Sequence, residues 1–238
     1  MEPFAALLLV QDHDRTLDQM RHRHATLPER EMVSAAESVL AALAAEEAEV
    51  LAPLSELART QQRLEDEAQG LQAQADAAHA KLYSGEVTAI KELQALQADV
   101  EMLRRHQGEV EEQALLVMEE REPFDAEVAR IAAARDVATA DLATATDALA
   151  RAVAAVDAEI AAETAVRDAA AADVDAGLLA LYERCRSASA YRVGVAKLVG
   201  HTCQGCHLTI PAIEADALRT AAAGTVAHCD NCGAILVP

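Results

Sequence analysis

The sequence predicts a mostly α protein: a long antiparallel coiled-coil hairpin, then a small C-terminal module of short β-strands and one short helix organised by four cysteines. Three observations predict it. Aliphatic side chains keep a seven-residue period on both sides of a Ser-Gly turn. The composition is too poor in large apolar groups for a thick globular core. Two Cys-x-x-Cys pairs lie in a C-terminal segment whose charge balance differs from the rest.

Composition sets the class. The 238 residues carry 20 Lys+Arg against 40 Asp+Glu, a formal charge of −20. Only Phe4, Tyr83, Phe124, Tyr182 and Tyr191 are aromatic, and 57 positions are alanine. The apolar fraction is therefore mostly methyl groups, each of which buries little area. A β-sandwich or doubly wound sheet is excluded in favour of long helices. The apolar run Phe4 to Val10 is too short for a signal segment and lacks a basic leader. No stretch approaches the ~20 apolar residues that span a bilayer. These features predict a cytoplasmic protein without membrane contact. The negative charge disfavours generic nucleic-acid binding unless a local basic patch exists.

The first element is the hairpin, expected over residues 1–186. One seam runs Leu54, Leu57, Gln61, Leu64, Ala68, Leu71, Ala75, Ala78, Leu82. A second runs Leu93, Leu96, Val100, Leu103, Gln107, Val110, Ala114, Val117. Steps of 3 and 4 alternate in both, the pattern of a left-handed coiled coil. Between them lies Tyr83-Ser84-Gly85-Glu86-Val87-Thr88, where Ser and Gly weaken helix and Thr88 can cap a new one. A turn near 83–90 folds the seams together, setting Leu71 opposite Leu103 and Leu64 opposite Val110. The polar seam residues Gln61 and Gln107 cost stability but fix register. Pro28 interrupts the first arm, and Pro53 and Pro123 are expected to bend the two arms at one height. Beyond Pro123 the larger residues Leu142, Leu149, Val153, Val156 and Ile160 drift toward eleven-residue spacing.

The second element is residues 187–238. Residues 181–238 hold five basic and four acidic side chains, against an excess of acids before them, and all five cysteines lie there. Cys203-Gln-Gly-Cys206 and Cys229-Asp-Asn-Cys232 have the spacing of a four-thiolate zinc site. Four thiolates leave no open position, so the Zn2+ is structural and offers no Lewis-acid chemistry. Gly205 and Gly233 give the turns their backbone freedom. His201, His207 and His228 stand near but are not required, and Cys185 lies outside both pairs. Strand character over Arg192–Leu198, Thr225–Ala227 and Ala234–Val237, with a helix from Pro211 to about Ala222, makes a zinc ribbon.

Two surfaces are candidates for contact. Arg21, Arg23, Arg184, Arg186 and Arg192, with Arg15, Arg30, His22 and His24, gather near the base of the hairpin as the one nucleic-acid footprint. Asp12, Asp14 and Asp18 interleave with them, so a solvated charged face is the simpler reading. The turn residues Tyr83, Gly85, Val87 and Ile90 present apolar groups for a protein contact. Arg104, Arg105 and His106 are read as solvent-facing. No reactive constellation is evident, so no enzyme activity and no small-molecule substrate are expected.

Leu82-Tyr-Ser-Gly-Glu-Val-Thr88, Lys91-Glu-Leu-Gln-Ala-Leu-Gln97, Leu103-Arg-Arg-His-Gln107 and Leu181-Tyr-Glu-Arg184 before Cys-x-x-Cys-His-Leu carry a resemblance over essentially the full chain. It resembles the bacterial C4-type zinc-ribbon family with an N-terminal coiled-coil hairpin (FlgZ-like). After the Tyr-Ser-Gly-x-Val-Thr turn this family usually has Asn-Pro, where this chain has Ala89-Ile90. The resemblance implies a non-enzymatic role. Members are described as binding an alternative sigma factor, messenger RNA, or secretion and flagellar components. The expected function is thus a zinc-ribbon adaptor for a protein partner in transcription or translation regulation. The alternative is an RNA- or DNA-binding regulator that uses the ribbon and the basic base.

Overall fold

The computed structural model describes residues 3–222 and 224–238. The elements run α1 (Pro3–Ala25), α2 (Pro28–Tyr83), α3 (Ile90–Ala172), α4 (Ala176–Ala188), β1 (Val195–Val199), β2 (Thr202–Cys203), α5 (Ala212–Thr220), β3 (Ala227–His228) and β4 (Ile235–Val237). Two compact units emerge. One is Met32–Ala145; the other joins the residues up to Glu31 with Thr146–Pro238. No helix among the described residues is long and apolar enough to cross a membrane.

The unit Met32–Ala145 is an antiparallel helical hairpin. Every seam position expected from Leu54 to Leu82 and from Leu93 to Val117 is buried or half-buried. Leu64, Ala68, Val110 and Ala114 form one cluster with Leu71 and Val117 at its edge. The polar seam residue Gln61 accepts a hydrogen bond from Arg121 Nη1 at 2.6 Å, a cross-helix lock on register. Gln107 turns along its own helix to Glu111 instead. Ion pairs Arg135–Glu47 at 3.0 Å and Arg130–Glu46 at 2.5 Å also cross the hairpin, and His106 Nε2 lies 3.7 Å from Glu67. Exposed pairs of this kind contribute about 0–1 kcal/mol each. Arg104, Arg105 and His106 are exposed, as the sequence predicts.

Glycine makes the turn. Gly85 has φ +79°, the left-handed region that a side chain resists. Ser84 Oγ donates to the Lys81 carbonyl at 3.0 Å and accepts the Glu86 N–H at 3.2 Å. Helix α3 starts at Ile90, with Ala89 accepting the first amides. The cap therefore falls one residue after Thr88. Pro28 opens α2 at its first position, where its missing N–H costs nothing. Helices α2 and α3 run through Pro53 and Pro123 without interruption. Past Ile131 the inward positions of α3 follow Ile131, Ala134, Ala138, Leu142, Ala145, Leu149, Val153, Val156, Ile160, in steps of 3, 4 and 4. This is the eleven-residue period toward which the larger side chains pointed.

The second unit packs α1, the end of α3 and α4 against a small sheet of order β2-β1-β4-β3. Strands β1 and β2 are antiparallel, β1 and β4 parallel, β3 and β4 antiparallel. Alternation divides the sheet between two cores. Val195 and Ile235 join Leu7, Val10, Ala171, Val174 and Tyr182 on the helical side. Ala196, Leu198 and Leu236 join Ile210, Ala215, Leu218 and the cysteines on the other. Gln11, buried on α1, accepts the Gly194 N–H at 2.6 Å and so docks the chain entering β1. A Cβ at Gly194 would sit 2.5 Å from the Tyr182 ring, so only glycine fits.

Local boundaries differ from the sequence reading. β1 begins at Val195, not Arg192, because Arg192 lies at φ +53° and bonds to the Ser189 carbonyl. β3 is Ala227–His228, after Thr225 has bonded back to Ala222. β4 starts at Ile235, and α5 ends at Thr220. A break after Ala172 separates α4, whose N-terminal amides at Gly177 and Leu178 are capped by Asp175 Oδ1 at 2.9 and 3.0 Å. The sequence reading carried that arm through without a break.

Candidate metal centre and partner surfaces

Two tight turns deliver the four cysteines, and they share one backbone plan. In the first, the His207 N–H donates to the Cys203 carbonyl and the Cys203 N–H to the Leu208 carbonyl. In the second, the Gly233 N–H donates to the Cys229 carbonyl and the Cys229 N–H to the Ala234 carbonyl. The residue after each second cysteine is left-handed: His207 at φ +60° and Gly233 at +74°. Glycine takes that conformation freely, whereas histidine is strained in it. Gly205 plays a different part from the one expected. Its φ is not left-handed; a Cβ there would meet Val193 Cγ1 at 2.9 Å and Ala196 Cβ at 3.0 Å. It is needed for space.

The sulfurs converge. All four lie within 4.8 Å of one another, with Cys203–Cys232 at 3.9 Å and Cys206–Cys229 at 3.8 Å. Zn–S bonds of about 2.3 Å in a tetrahedron place sulfurs ~3.8 Å apart. The spacing is much too long for disulfides. The donor set fits zinc: four soft thiolates, three of them buried. Burial pushes the Cys203 and Cys232 thiols up. Burial opposes ionisation of Cys229 too, but the amides of Cys232 and Asn231 hold it below the usual thiol range. Zinc binding must therefore release protons from the raised thiols. His228 Nδ1 contacts the Gly233 carbonyl at 3.2 Å and Cys185 at 3.8 Å, and His201 and His207 are exposed, so none completes the sulfur set. Cys185 is half-buried outside it, its thiol raised by burial.

The hairpin and the ribbon each match a known family. A CT398-like coiled coil hairpin domain matches residues 10–190, and a C4-type zinc ribbon domain matches residues 202–236. The chain belongs to the CT398-like coiled-coil hairpin family. The uncharacterized proteins MT2288 and Rv2229c of Mycobacterium tuberculosis are each 31% identical over 232 residues, covering 98% of this chain and 94% of theirs. A solved structure from Mycobacterium smegmatis aligns with TM-score 0.87 at 27% identity, covering 98% and 96% of the two chains. CT398 from Chlamydia trachomatis aligns at 0.71 with 14% identity, and HP0958 from Helicobacter pylori at 0.52 with 13%, each covering 98% of this chain and 95% of its own. The last two share the fold. The matched domains of this CT398-like chain are a coiled coil and a structural zinc ribbon, neither of them a catalytic family.

The basic residues are largely engaged within the chain. Asp18 accepts from Arg192 through both Nε at 2.9 Å and Nη2 at 3.3 Å, from Arg186 Nη2 at 2.5 Å and from Arg21 Nη1 at 3.3 Å. Burial works against the Asp18 carboxylate, but Arg192 and Arg186 outweigh it and hold its pKa below the ordinary value. Arg23 pairs with Glu159 and His24 with Asp157. Arg30 donates to the His24 carbonyl. Arg184 and Arg15 are exposed, without an ion pair among the described residues.

Asp14 is not the solvated acid of the sequence reading. It is 6% exposed and sits beneath Tyr182, whose OH donates to it at 2.5 Å, with Arg167 Nε at 3.3 Å. Burial and that bond keep the Tyr182 phenol protonated far above its usual range. No periodicity marks this cluster, since Asp14 lies 153 residues from Arg167 and 168 from Tyr182. At the turn, Tyr83 and Ile90 are each 75% exposed, Gly85 is exposed and Val87 half-buried. The Tyr83 ring lies tilted at 50° to His79, with ring centroids 4.8 Å apart.

Proposed function

We propose that this chain is a non-enzymatic zinc-ribbon adaptor that binds a protein partner, within transcription or translation regulation. The observation that carries this reading is the engagement of the basic cluster. Arg21, Arg186 and Arg192 all point at Asp18, so three of the cations that a phosphate backbone would need already have an internal partner. Contact then falls to apolar groups such as Tyr83 and Ile90. On the exposed turn they offer the desolvatable area that protein contacts use.

One observation favours the nucleic-acid alternative. A cleft beside the second cysteine turn is lined by Arg184, Tyr191 and Asn231, an unpaired cation next to an exposed ring. Titrating a labelled RNA pool into the zinc-loaded chain at low salt separates the two. The adaptor reading expects no binding with a steep salt slope. It also expects affinity capture of a protein partner that is lost with the Tyr83→Ser, Ile90→Ser double variant. Salt-steep RNA binding that disappears with Arg184→Glu would overturn it.

A further inference from the structure

We propose that the free edge of β3, with the cleft between β3 and α5, binds an extended partner segment by strand addition, one that turns small apolar side chains flanked by basic ones toward α5. The inference rests on the adaptor reading and names the partner's chemistry at the ribbon.

β3 is the terminal strand of the sheet. Ala227 stands opposite Leu236 and His228 opposite Ile235, and the next rung is the Cys229 N–H donating to the Ala234 carbonyl. Hydrogen-bonded and non-hydrogen-bonded pairs alternate along an antiparallel ladder. Ala227 and Cys229 therefore turn their backbone groups toward β4, and Val226 and His228 turn theirs outward. Among the described residues those outward groups have no partner. An unpaired edge of this kind is a template for another strand.

Beside the edge lies a cleft of about 350 Å³, its wall apolar at Ile210, Ala217, Leu218 and Leu236. Its rim carries Glu214 and Asp230, both exposed and neither ion-paired among the described residues. Asp216 on the same helix is different, since Arg219 holds it at 2.8 Å. An extended peptide sends successive side chains to opposite faces, about 3.3 Å apart along the strand. On the face of the added strand turned toward α5, small apolar side chains fill the cleft, and Lys or Arg at the flanking positions of that same face reach the rim carboxylates. A nucleic acid at this place would meet those carboxylates with like charge.

The test uses the zinc-loaded, isotope-labelled full chain and two synthetic octapeptides with lysine, valine, valine and lysine at alternate positions and threonine between them, one with every other amide N-methylated. The plain peptide should shift the amide resonances of Val226, His228 and Ala217. The N-methylated peptide, with the same charge but half its donors blocked, should bind at least tenfold more weakly. Glu214→Lys should weaken binding of the plain peptide at least tenfold. Glu214→Gln, which keeps the size and so controls for damage to α5, should weaken it less than Glu214→Lys but measurably. The proposal is overturned by equal binding of the two peptides, by shifts confined to the acidic faces of α2 and α3, by shifts at the cleft from a random-sequence RNA instead, or by no shift at millimolar peptide. A partner captured through Tyr83 and Ile90 despite no peptide binding would leave the adaptor reading standing and end this one.

Discussion

Nine apolar side chains are buried along Met32–Ala145, and five of them are alanine; among the described residues from Val193 to Leu236, thirteen are buried. The hairpin spreads a thin seam over more than a hundred residues. Each step contributes little, and neighbouring steps repeat the same contact. The ribbon gathers two small cores around a sheet of strands two to five residues long and lets four sulfurs close it. The difference teaches where a single change is felt. A defect in a periodic seam is absorbed locally, whereas a defect at the metal releases both turns at once.

The largest expected effect follows. Removing zinc with a strong chelator should collapse the packing of Val193–Leu236, since metal binding in such modules contributes on the order of 10–16 kcal/mol. Far-UV helicity should stay largely intact, because α2 and α3 do not use the metal. Circular dichroism beside amide exchange separates the two, and a loss of most helicity would break the comparison. Next comes Asp14→Ala. It leaves the buried Tyr182 hydroxyl without its acceptor and takes from Arg167 and Arg186 the most buried of their carboxylates, and should cost about 3–5 kcal/mol in a denaturant titration. A cost below about 1 kcal/mol would mean that the cluster is solvated after all.

The hairpin should respond more mildly. Gln61→Ala removes the cross-helix bond to Arg121 and should cost about 1.5 kcal/mol, with amide exchange speeding up only around the lost contact. A global change in exchange would show that the seam is cooperative over its length. The smallest effect is a gain. His207→Gly relieves the left-handed strain that Gly233 already avoids in the matching turn, and should stabilise the zinc-loaded ribbon by about 0.5–1 kcal/mol. A loss would give the His207 side chain a role of its own.

The two regions were also unequally legible in the sequence. The seams, the Gly85 turn, the Pro28 break and the four sulfur ligands could all be read, because each is a local pattern or a spacing. Asp14, Gln11 and Tyr182 could not. They are polar or aromatic residues on α1 and α4 whose partners lie on other elements, and burial of a carboxylate has no local signature. The break before α4 did leave a signal, Asp173-Val174-Asp175, in which Asp175 is the cap. The strain at His207 became visible only when the two turns could be laid side by side. Asp18 could be read as one of the acids interleaved with the arginines, but not its bonds to Arg186 and Arg192, which join positions 168 and 174 residues apart.

Zinc K-edge absorption on the full chain tests the central claim most directly. The account predicts one zinc per chain, surrounded by four sulfurs at about 2.3 Å with no light-atom ligand. A site with three sulfurs and a nitrogen or a water would contradict it, since an open or exchangeable position would return metal chemistry to a module read here as purely structural.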